Sequence, residues 1–104
     1  MSGFSIHRNN SASSVHYPFI IDVQSELLSG LETRLAIPLV PSTELTGGAI
    51  KNLNPAIAIG DVRYFVLTQQ MAAVPKAVLG ERLDNVEVDR GRILSSIDFL
   101  ITGI

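Results

Sequence analysis

Two histidines and one carboxylate are the side chains in this sequence whose type and position could support chemistry. His7 and His16 flank a short polar segment, so a hairpin could place them opposite each other for metal binding or acid–base work. No third ligand lies near them in the sequence, and we therefore expect two solvent-facing histidines. Asp22 lies in the apolar run 19–23, where a carboxylate could act as a general base. The alternation of a strand favours a simpler interpretation, in which Asp22 points outward.

The patterns of other enzyme classes are missing from the sequence. Gly47-Gly48 lacks the spacing of a phosphate-binding loop, and the serines have no nucleophile-elbow context. Zero cysteines exclude a disulfide framework, a thiolate nucleophile and a cysteine-based zinc site. Eight Lys and Arg against ten Asp and Glu give a net charge of −2 without a basic run, which argues against non-specific nucleic-acid binding. The sequence thus predicts no catalytic residues, no cofactor and no metal site.

Length and composition predict a single domain over residues 1–104 that associates with another chain. Only 17% of the residues are charged and 46% are hydrophobic, whereas about 25% charged residues is typical. A mean hydropathy of +0.32 in so short a chain indicates apolar surface covered by association, most simply in a homodimer. The N-terminal residues lack signal-peptide features and no apolar run approaches roughly 20 residues, so we expect a cytoplasmic protein without a membrane partner.

Several short runs predict an antiparallel sheet. Residues 4–7 alternate apolar with polar side chains, and residues 17–23 and 35–39 are rich in β-branched or apolar residues. Pro38 favours an edge strand or a bulge over an interior position. Gly60-Asp61 separates two further β-prone runs and predicts a two-residue hairpin turn.

Other stretches predict connections or weaker strands. The polar residues 9–14 are typical of a flexible loop, and residues 43–54, with two adjacent glycines, indicate an irregular excursion. Residues 71–79 predict another extended pair, interrupted by Pro75.

The end of the chain predicts a helix whose apolar residues exceed what one sheet can cover. Ile93, Ile97, Leu100 and Ile104 recur at i, i+4, i+7 and i+11, with acidic residues 87 and 89 in the expected first turn and Gly103 at the expected end. Residues 99, 100, 101 and 104 are all apolar and point in different directions around a helix. Some of them should therefore contact a second subunit or a partner protein. The predicted fold is mainly β (α+β), with one C-terminal helix.

Several short segments follow one another along the chain in a characteristic order. They are Asp22-Val23-Gln24-Ser25 with Leu27-Leu28, Ile37-Pro38-Leu39, Ile59-Gly60-Asp61, Met71-Ala72-Ala73-Val74-Pro75, Gly80-Glu81, and the ending Ile97 to Gly103-Ile104. Together they resemble the CcdB family, the toxins of CcdA–CcdB toxin–antitoxin modules. The resemblance covers nearly the whole chain and rests on the order, the spacing and the common C-terminus of the segments rather than on any single one.

The resemblance implies an SH3-like antiparallel β-barrel with a small inserted sheet and a C-terminal α-helix, assembled as a homodimer. Such proteins poison DNA gyrase: the dimer docks on the gyrase A subunit and traps the enzyme with cleaved DNA, without catalysis of its own. A CcdA-like antitoxin neutralises the toxin, and operator DNA is contacted only indirectly, through the antitoxin complex. By position, the implied gyrase-binding residues are Leu27, Leu28, Asp98, Ile101, Thr102, Gly103 and Ile104, and Leu100 is the implied dimer contact. For the antitoxin we expect contacts at Arg8, Asn9, Asn10 and Ser11.

One departure from the family pattern leaves alternatives open. Thr102 stands where the best-known family member has a tryptophan, and threonine cannot stack on an arginine of the target. A decayed toxin that only binds antitoxin is therefore one alternative. The other is an mRNA endoribonuclease of the MazF and Kid type, which resembles the family in fold; its candidate residues here are His7, Arg8, His16, Asp22 and Arg34. The low basicity of the chain and the gyrase-type C-terminus argue against the ribonuclease.

Overall fold

A computed structural model of the protein describes residues 4–85 and 89–103, in which seven strands are followed by one α-helix. The predicted class, mainly β with a C-terminal helix, is confirmed. The elements are β1 (Ser5–Asn9), β2 (Phe19–Asp22), β3 (Thr33–Pro41), β4 (Ala56–Ile59), β5 (Val62–Val66), β6 (Ala72–Pro75), β7 (Leu79–Asn85) and α1 (Arg90–Thr102).

The strands form one antiparallel sheet in which β3 is the central element. The order is β4-β5-β3-β2-β1-β7, and β6 joins the sheet beside β3. The first half of β3 pairs with β6, Thr33 lying opposite Pro75, and its second half pairs with β5, Leu39 lying opposite Val66. The other side of β3 pairs with β2. Nine residues of β3 therefore connect three neighbouring strands.

The expected closed barrel is wrong for the part of the chain that the structure describes. There the outer strands β4 and β7 do not pair, so the sheet stays open, and β6 belongs to the same sheet rather than to a separate small one. The edge of β4 receives a helix side chain instead of a strand: Arg92 Nη2 of α1 donates to the Ala56 carbonyl at 2.6 Å. This bond satisfies an edge acceptor that a closing strand would otherwise cover.

Pro38 lies in an interior strand, against the expectation of an edge or a bulge. Its carbonyl accepts from the Leu67 amide at 3.0 Å, on the side of β3 away from β2. On that side the register with β6 ends at Ala36 and the register with β5 begins at Leu39. Because the amide and carbonyl of one residue point to the same side of an antiparallel strand, the missing N–H falls at this changeover, where no strand partner needs it.

The turns and irregular segments follow the sequence closely, with one strand missed. Gly60-Asp61 forms the two-residue turn between β4 and β5, with Gly60 at φ +62°. Residues 45–55 are irregular, as expected, and Gly47 and Gly48 both have positive φ. In the run 71–79, which predicted two strands, β6 ends at Pro75 and a 3₁₀ turn follows. The second strand, β7, starts only at Leu79 and continues through charged residues for which the sequence predicted no strand.

The helix packs on the sheet through one short stripe. Ile93 is fully buried in the core, and Ile97 packs against the same cluster. Between them Ser96 is buried, and its hydroxyl lies 2.9 Å from that of Thr68. The core comprises Phe4, Ile6, Ile21, Ile37, Leu39, Ile57, Tyr64, Val66 and Ile93.

The predicted helix end is confirmed at Gly103, whose φ is +73° and whose amide donates to the Phe99 carbonyl at 2.8 Å. Such a left-handed terminal residue favours glycine. At the other end Asp89 is the N-cap, without a side-chain capping bond. Glu87 and Ile104, two residues of the predicted helix pattern, lie outside the described residues.

Candidate partner-binding surface

The connection between β2 and β3 begins at a buried ion pair. Arg34 donates from Nε and Nη2 to Asp22 Oδ2 at 3.0 and 2.7 Å, and both residues are buried. Strand alternation does place Asp22 on the face opposite Ile21, which lies in the core cluster, but this face is not open to solvent, so the expectation of an outward, exposed Asp22 is wrong. The buried Arg34 on the neighbouring strand supplies the countercharge that a buried carboxylate needs.

The three residues after Asp22 in the Asp22-Val23-Gln24-Ser25 segment shape the turn that follows. Val23 donates its amide to the Leu35 carbonyl at 2.9 Å and packs against the core. The Gln24 side chain accepts from the Leu35 amide and donates to the Leu28 carbonyl, both at 3.0 Å. Ser25 caps the 3₁₀ turn Glu26–Leu28 by accepting from the Leu27 amide at 3.1 Å. The motif therefore builds a hydrogen-bonded base for the turn.

This turn presents two leucines to solvent. Leu27 is 94% exposed and Leu28 is 50% exposed. A single exposed apolar side chain is ordinary, but adjacent leucines on a hydrogen-bonded turn offer a compact apolar contact.

The end of α1 presents the second exposed apolar group. Ile101 is 72% exposed and Leu100 is 40% exposed, so neither packs fully on the sheet. Asp98 and Thr102 are also exposed, and the Thr102 hydroxyl donates to the Asp98 carbonyl at 2.7 Å. Gly103 ends the helix. Among the residues assigned by resemblance to gyrase binding, Ile104 alone lies outside the described part of the chain.

The two exposed groups are anchored to different parts of the sheet. The β2–β3 connection is tied to the segment after β6, because Lys76 donates its amide to Glu32 and its Nζ to Ser29, the latter at 2.7 Å. The helix is instead held through Thr68 and the core. The candidate surface therefore consists of two separately fixed apolar elements on one chain.

The candidate antitoxin segment is an ordered turn rather than a flexible loop. Residues Ala12–Val15 form a 3₁₀ turn with Ser11 as its N-cap. Asn9 is 7% exposed, and its Nδ2 donates to the Ser13 hydroxyl and to the Tyr17 carbonyl, at 3.0 and 2.8 Å. Asn9 Oδ1 accepts from the Ser11 amide and hydroxyl. The buried amide of Asn9 therefore organises the turn, while Arg8, Asn10 and Ser11 form its more accessible part.

The structure does not assemble the two histidines or the five ribonuclease candidates into one site. His7 is half-buried, so the expectation of a solvent-facing residue is wrong for it: Nε2 bonds to the Ser5 hydroxyl at 2.8 Å and Nδ1 to the Gly80 carbonyl at 3.1 Å. His16 is exposed and contacts the ring of Tyr17. Asp22 and Arg34 neutralise each other in the interior, and Arg8 pairs with Glu81 on the surface. Within residues 4–85 and 89–103, no group of three or more His, Asp or Glu could hold a metal ion.

Sequence reasoning missed the residues that fix the candidate surface. Lys76 and Thr68 each contact a residue more than 25 positions away along the chain. Neither belongs to a local sequence pattern that predicts such a contact. Gln24 stands out in the sequence only as part of a motif, because a glutamine that bonds to two main-chain groups has the same local sequence pattern as an exposed polar residue.

Comparison with known families assigns the chain. The family model described as CcdB protein matches residues 3–103. The chain belongs to the CcdB family. It is accordingly a toxin of the toxin–antitoxin class, and the family implies an antitoxin as its partner. No helix in the described part of the chain is long and apolar enough to cross a bilayer.

Proposed function

We propose that this CcdB-family toxin binds the A subunit of DNA gyrase and traps gyrase on cleaved DNA, and that a CcdA-like antitoxin neutralises it. The observation that carries the proposal is the exposure of Ile101 on a helix end that is itself fixed to the core. Burying one isoleucine contributes about 1.5–3 kcal/mol to a complex. Leu27 and Leu28 supply a second apolar contact, and Asp98, Thr102, Gly103 and Ile104 complete the proposed gyrase-binding residues.

A homodimer is part of the proposal. Leu100 and Ile101 are neighbours at the helix end, and both are exposed. Because neighbouring residues of a helix point in different directions, Leu100 can contact a second subunit while Ile101 contacts gyrase. A symmetric dimer presents two copies of the helix end, which suits a symmetric target such as the gyrase A dimer. The toxin acts by binding, and catalysis belongs to gyrase.

The antitoxin is proposed to contact the ordered turn after β1. Arg8 and Asn10 are exposed there, and the turn needs no partner to form because Asn9 and Ser11 hold it internally. A preformed turn lowers the ordering cost for a disordered antitoxin arm that folds on it. Operator DNA would then be reached only through the antitoxin.

Calorimetry of the full chain against the purified gyrase A dimerisation fragment tests the proposal. We expect saturable binding, and in a companion assay we expect cleaved plasmid to accumulate when gyrase and ATP are present. An antitoxin arm peptide should prevent both. Binding to the antitoxin without binding to gyrase would identify a decayed toxin, and cleavage of RNA by the purified protein would support the ribonuclease alternative.

A further inference from the structure

The side chain of Gln24 takes the place of main chain where the polypeptide leaves β2. The last main-chain bond of this pairing runs from the Val23 amide to the Leu35 carbonyl, at 2.9 Å. In a continuing antiparallel ladder the Leu35 amide would bond back to the main chain of β2. It donates instead to Gln24 Oε1 at 3.0 Å. The backbone is thereby free to turn away from the sheet without leaving the Leu35 amide unpaired.

The other end of the same side chain holds the exposed turn. Gln24 Nε2 donates to the Leu28 carbonyl at 3.0 Å. The turn Glu26–Leu28 contains no buried residue, so core packing does not hold it. Main-chain bonds within the turn, such as the Leu31 amide to the Leu28 carbonyl at 3.1 Å, fix its local shape. Its attachment to the rest of the protein depends on side-chain bonds: the Ser25 hydroxyl accepts from the Leu27 amide, Gln24 donates to the Leu28 carbonyl, and Lys76 donates to the Ser29 carbonyl.

The base of this bridge is itself fixed. The main-chain amide of Gln24 donates to Asp22 Oδ1 at 3.1 Å, while Arg34 donates to the other carboxylate oxygen, Oδ2. The bridge therefore runs from a buried ion pair to the carbonyl of an exposed leucine. We propose that Gln24 is a positioning residue, which orders the Leu27-Leu28 turn for binding to gyrase without touching gyrase itself. The gyrase part of this inference rests on the proposed function above.

The substitution Gln24→Glu tests the bridge with the smallest change of shape. Glutamate keeps an oxygen that can accept from the Leu35 amide, but it places a second oxygen against the Leu28 carbonyl and loses the donor. Gln70→Glu is the matched control, because it adds the same charge at an exposed glutamine on the 68–70 turn. Gln24→Met, which is uncharged and of similar length, serves if the glutamate variant does not fold.

Backbone NMR relaxation of the free protein provides the first measurement. We expect residues 26–29 to become mobile in Gln24→Glu and to stay ordered in Gln70→Glu, with the cooperative thermal transition retained in both. Gyrase has no part in this measurement, so it tests the bridge whatever the target of the toxin. A turn that stays equally ordered in Gln24→Glu and in Gln24→Met would overturn the inference.

Affinity for the gyrase A fragment provides the second measurement. In Gln24→Glu the mobile turn must become ordered when gyrase binds, which costs free energy. We therefore expect this variant to bind the gyrase A fragment roughly five- to tenfold more weakly and to bind an antitoxin arm with unchanged affinity. In a protein that already carries Leu27→Ala and Leu28→Ala, the same change should have no further effect, since the two leucines are what the bridge positions. A loss of equal size in that background, or a mobile turn with unchanged gyrase affinity, would overturn the positioning role. A wild-type protein that does not bind gyrase would overturn the proposed function and leave the NMR result to decide whether the bridge exists.

Discussion

Arg34 Nη2 lies 2.7 Å from Asp22 Oδ2, and the two side chains are only 7% and 8% exposed. Both oxygens of the carboxylate accept hydrogen bonds, because Oδ1 accepts from the main-chain amide of Gln24. The pair lies where β2 and β3 separate, so it ends the paired part of the hairpin and starts the connection that carries Leu27. One interaction thus links the interior of the protein with its candidate partner-binding surface.

Removing one member of this pair should destabilise the fold strongly. Asp22→Asn leaves the Arg34 guanidinium buried without a countercharge, and we expect the free energy of unfolding to fall by about 3–5 kcal/mol. Urea denaturation followed by circular dichroism measures it. Glu81→Gln is the control, since it breaks an exposed ion pair with Arg8 and should cost about 0–1 kcal/mol. Equal losses in the two variants would contradict the structural role of Asp22.

Local sequence patterns predicted those elements whose signal lies within a few residues. The hairpin at Gly60-Asp61 and the helix end at Gly103 both need positive φ, which favours glycine. The strand β7 was missed because its residues, LGERLDN, are mostly charged or polar. Leu83 is the residue of this strand that packs against the core cluster, and one apolar contact is too weak a pattern to distinguish a strand from a loop.

The interior position of Asp22 could not be predicted from its neighbours. Burial of a carboxylate depends on a cation twelve residues away, and that relationship exists only once β2 and β3 pair in register. The same holds for the exposed surface. The sequence indicated an excess of apolar residues at the helix end, and the structure shows which of them remain uncovered: Ile97 packs against the core, whereas Ile101 does not.

Gly80 should tolerate no side chain. A Cβ at this position would lie 2.9 Å from the Arg8 carbonyl and 2.9 Å from Asn10 Oδ1. We expect Gly80→Ala to lower the free energy of unfolding by about 1–3 kcal/mol, because β1 and β7 would have to move apart. Gly91→Ala is the matched control: nothing lies within 4 Å of its Cβ, and alanine favours the helix. Thermal unfolding of the two variants should shift in opposite directions, and a stable Gly80→Ala protein would show that the strands can adjust.

Leu100→Asp should convert the dimer to a monomer that remains folded. Leu100 is 40% exposed on one protomer, so a charge there costs little in the monomer but would be buried at the proposed dimer interface. Sedimentation equilibrium at micromolar concentration measures the mass. Val62→Asp, at a valine of 46% exposure on β5, should leave the dimer intact. A wild-type protein of monomer mass would refute the dimer, and an unchanged mass for Leu100→Asp would place the interface elsewhere.

Thr102→Trp should strengthen gyrase binding. Thr102 lies exposed in the last turn of α1, so a larger side chain there can extend toward solvent. An indole there could stack on an arginine of the target, which contributes about 0.5–2 kcal/mol, or roughly two- to thirtyfold in affinity. Thr102→Leu adds apolar area without the aromatic face and should gain less. Calorimetry against the gyrase A fragment compares the three proteins, and equal affinities would show that no arginine lies within reach.

The C-terminal residues give the sharpest test of the proposed surface. Removing residues 103–104, or changing Ile104 to Asp, should abolish measurable gyrase binding. Loss of one buried isoleucine weakens a complex by about 1.5–3 kcal/mol, or roughly ten- to over a hundredfold in affinity, and a dimer loses two such contacts. Ile101→Asp should act in the same direction from inside the described helix. Because Ile101 is 72% exposed and Gly103 follows the helix, these changes should leave thermal unfolding and antitoxin binding nearly unchanged.

Val15→Asp is the matched control for these changes. Val15 is 81% exposed in the 3₁₀ turn after β1, so the same charge is introduced at an equally exposed aliphatic residue on the surface assigned to the antitoxin. It should leave gyrase binding intact and weaken antitoxin binding instead. A truncated protein that still poisons gyrase would refute the assignment of the helix end. If the truncated protein unfolded while Ile101→Asp did not, the last residues would belong to the core, and the gyrase contact would have to be sought at Leu27 and Leu28.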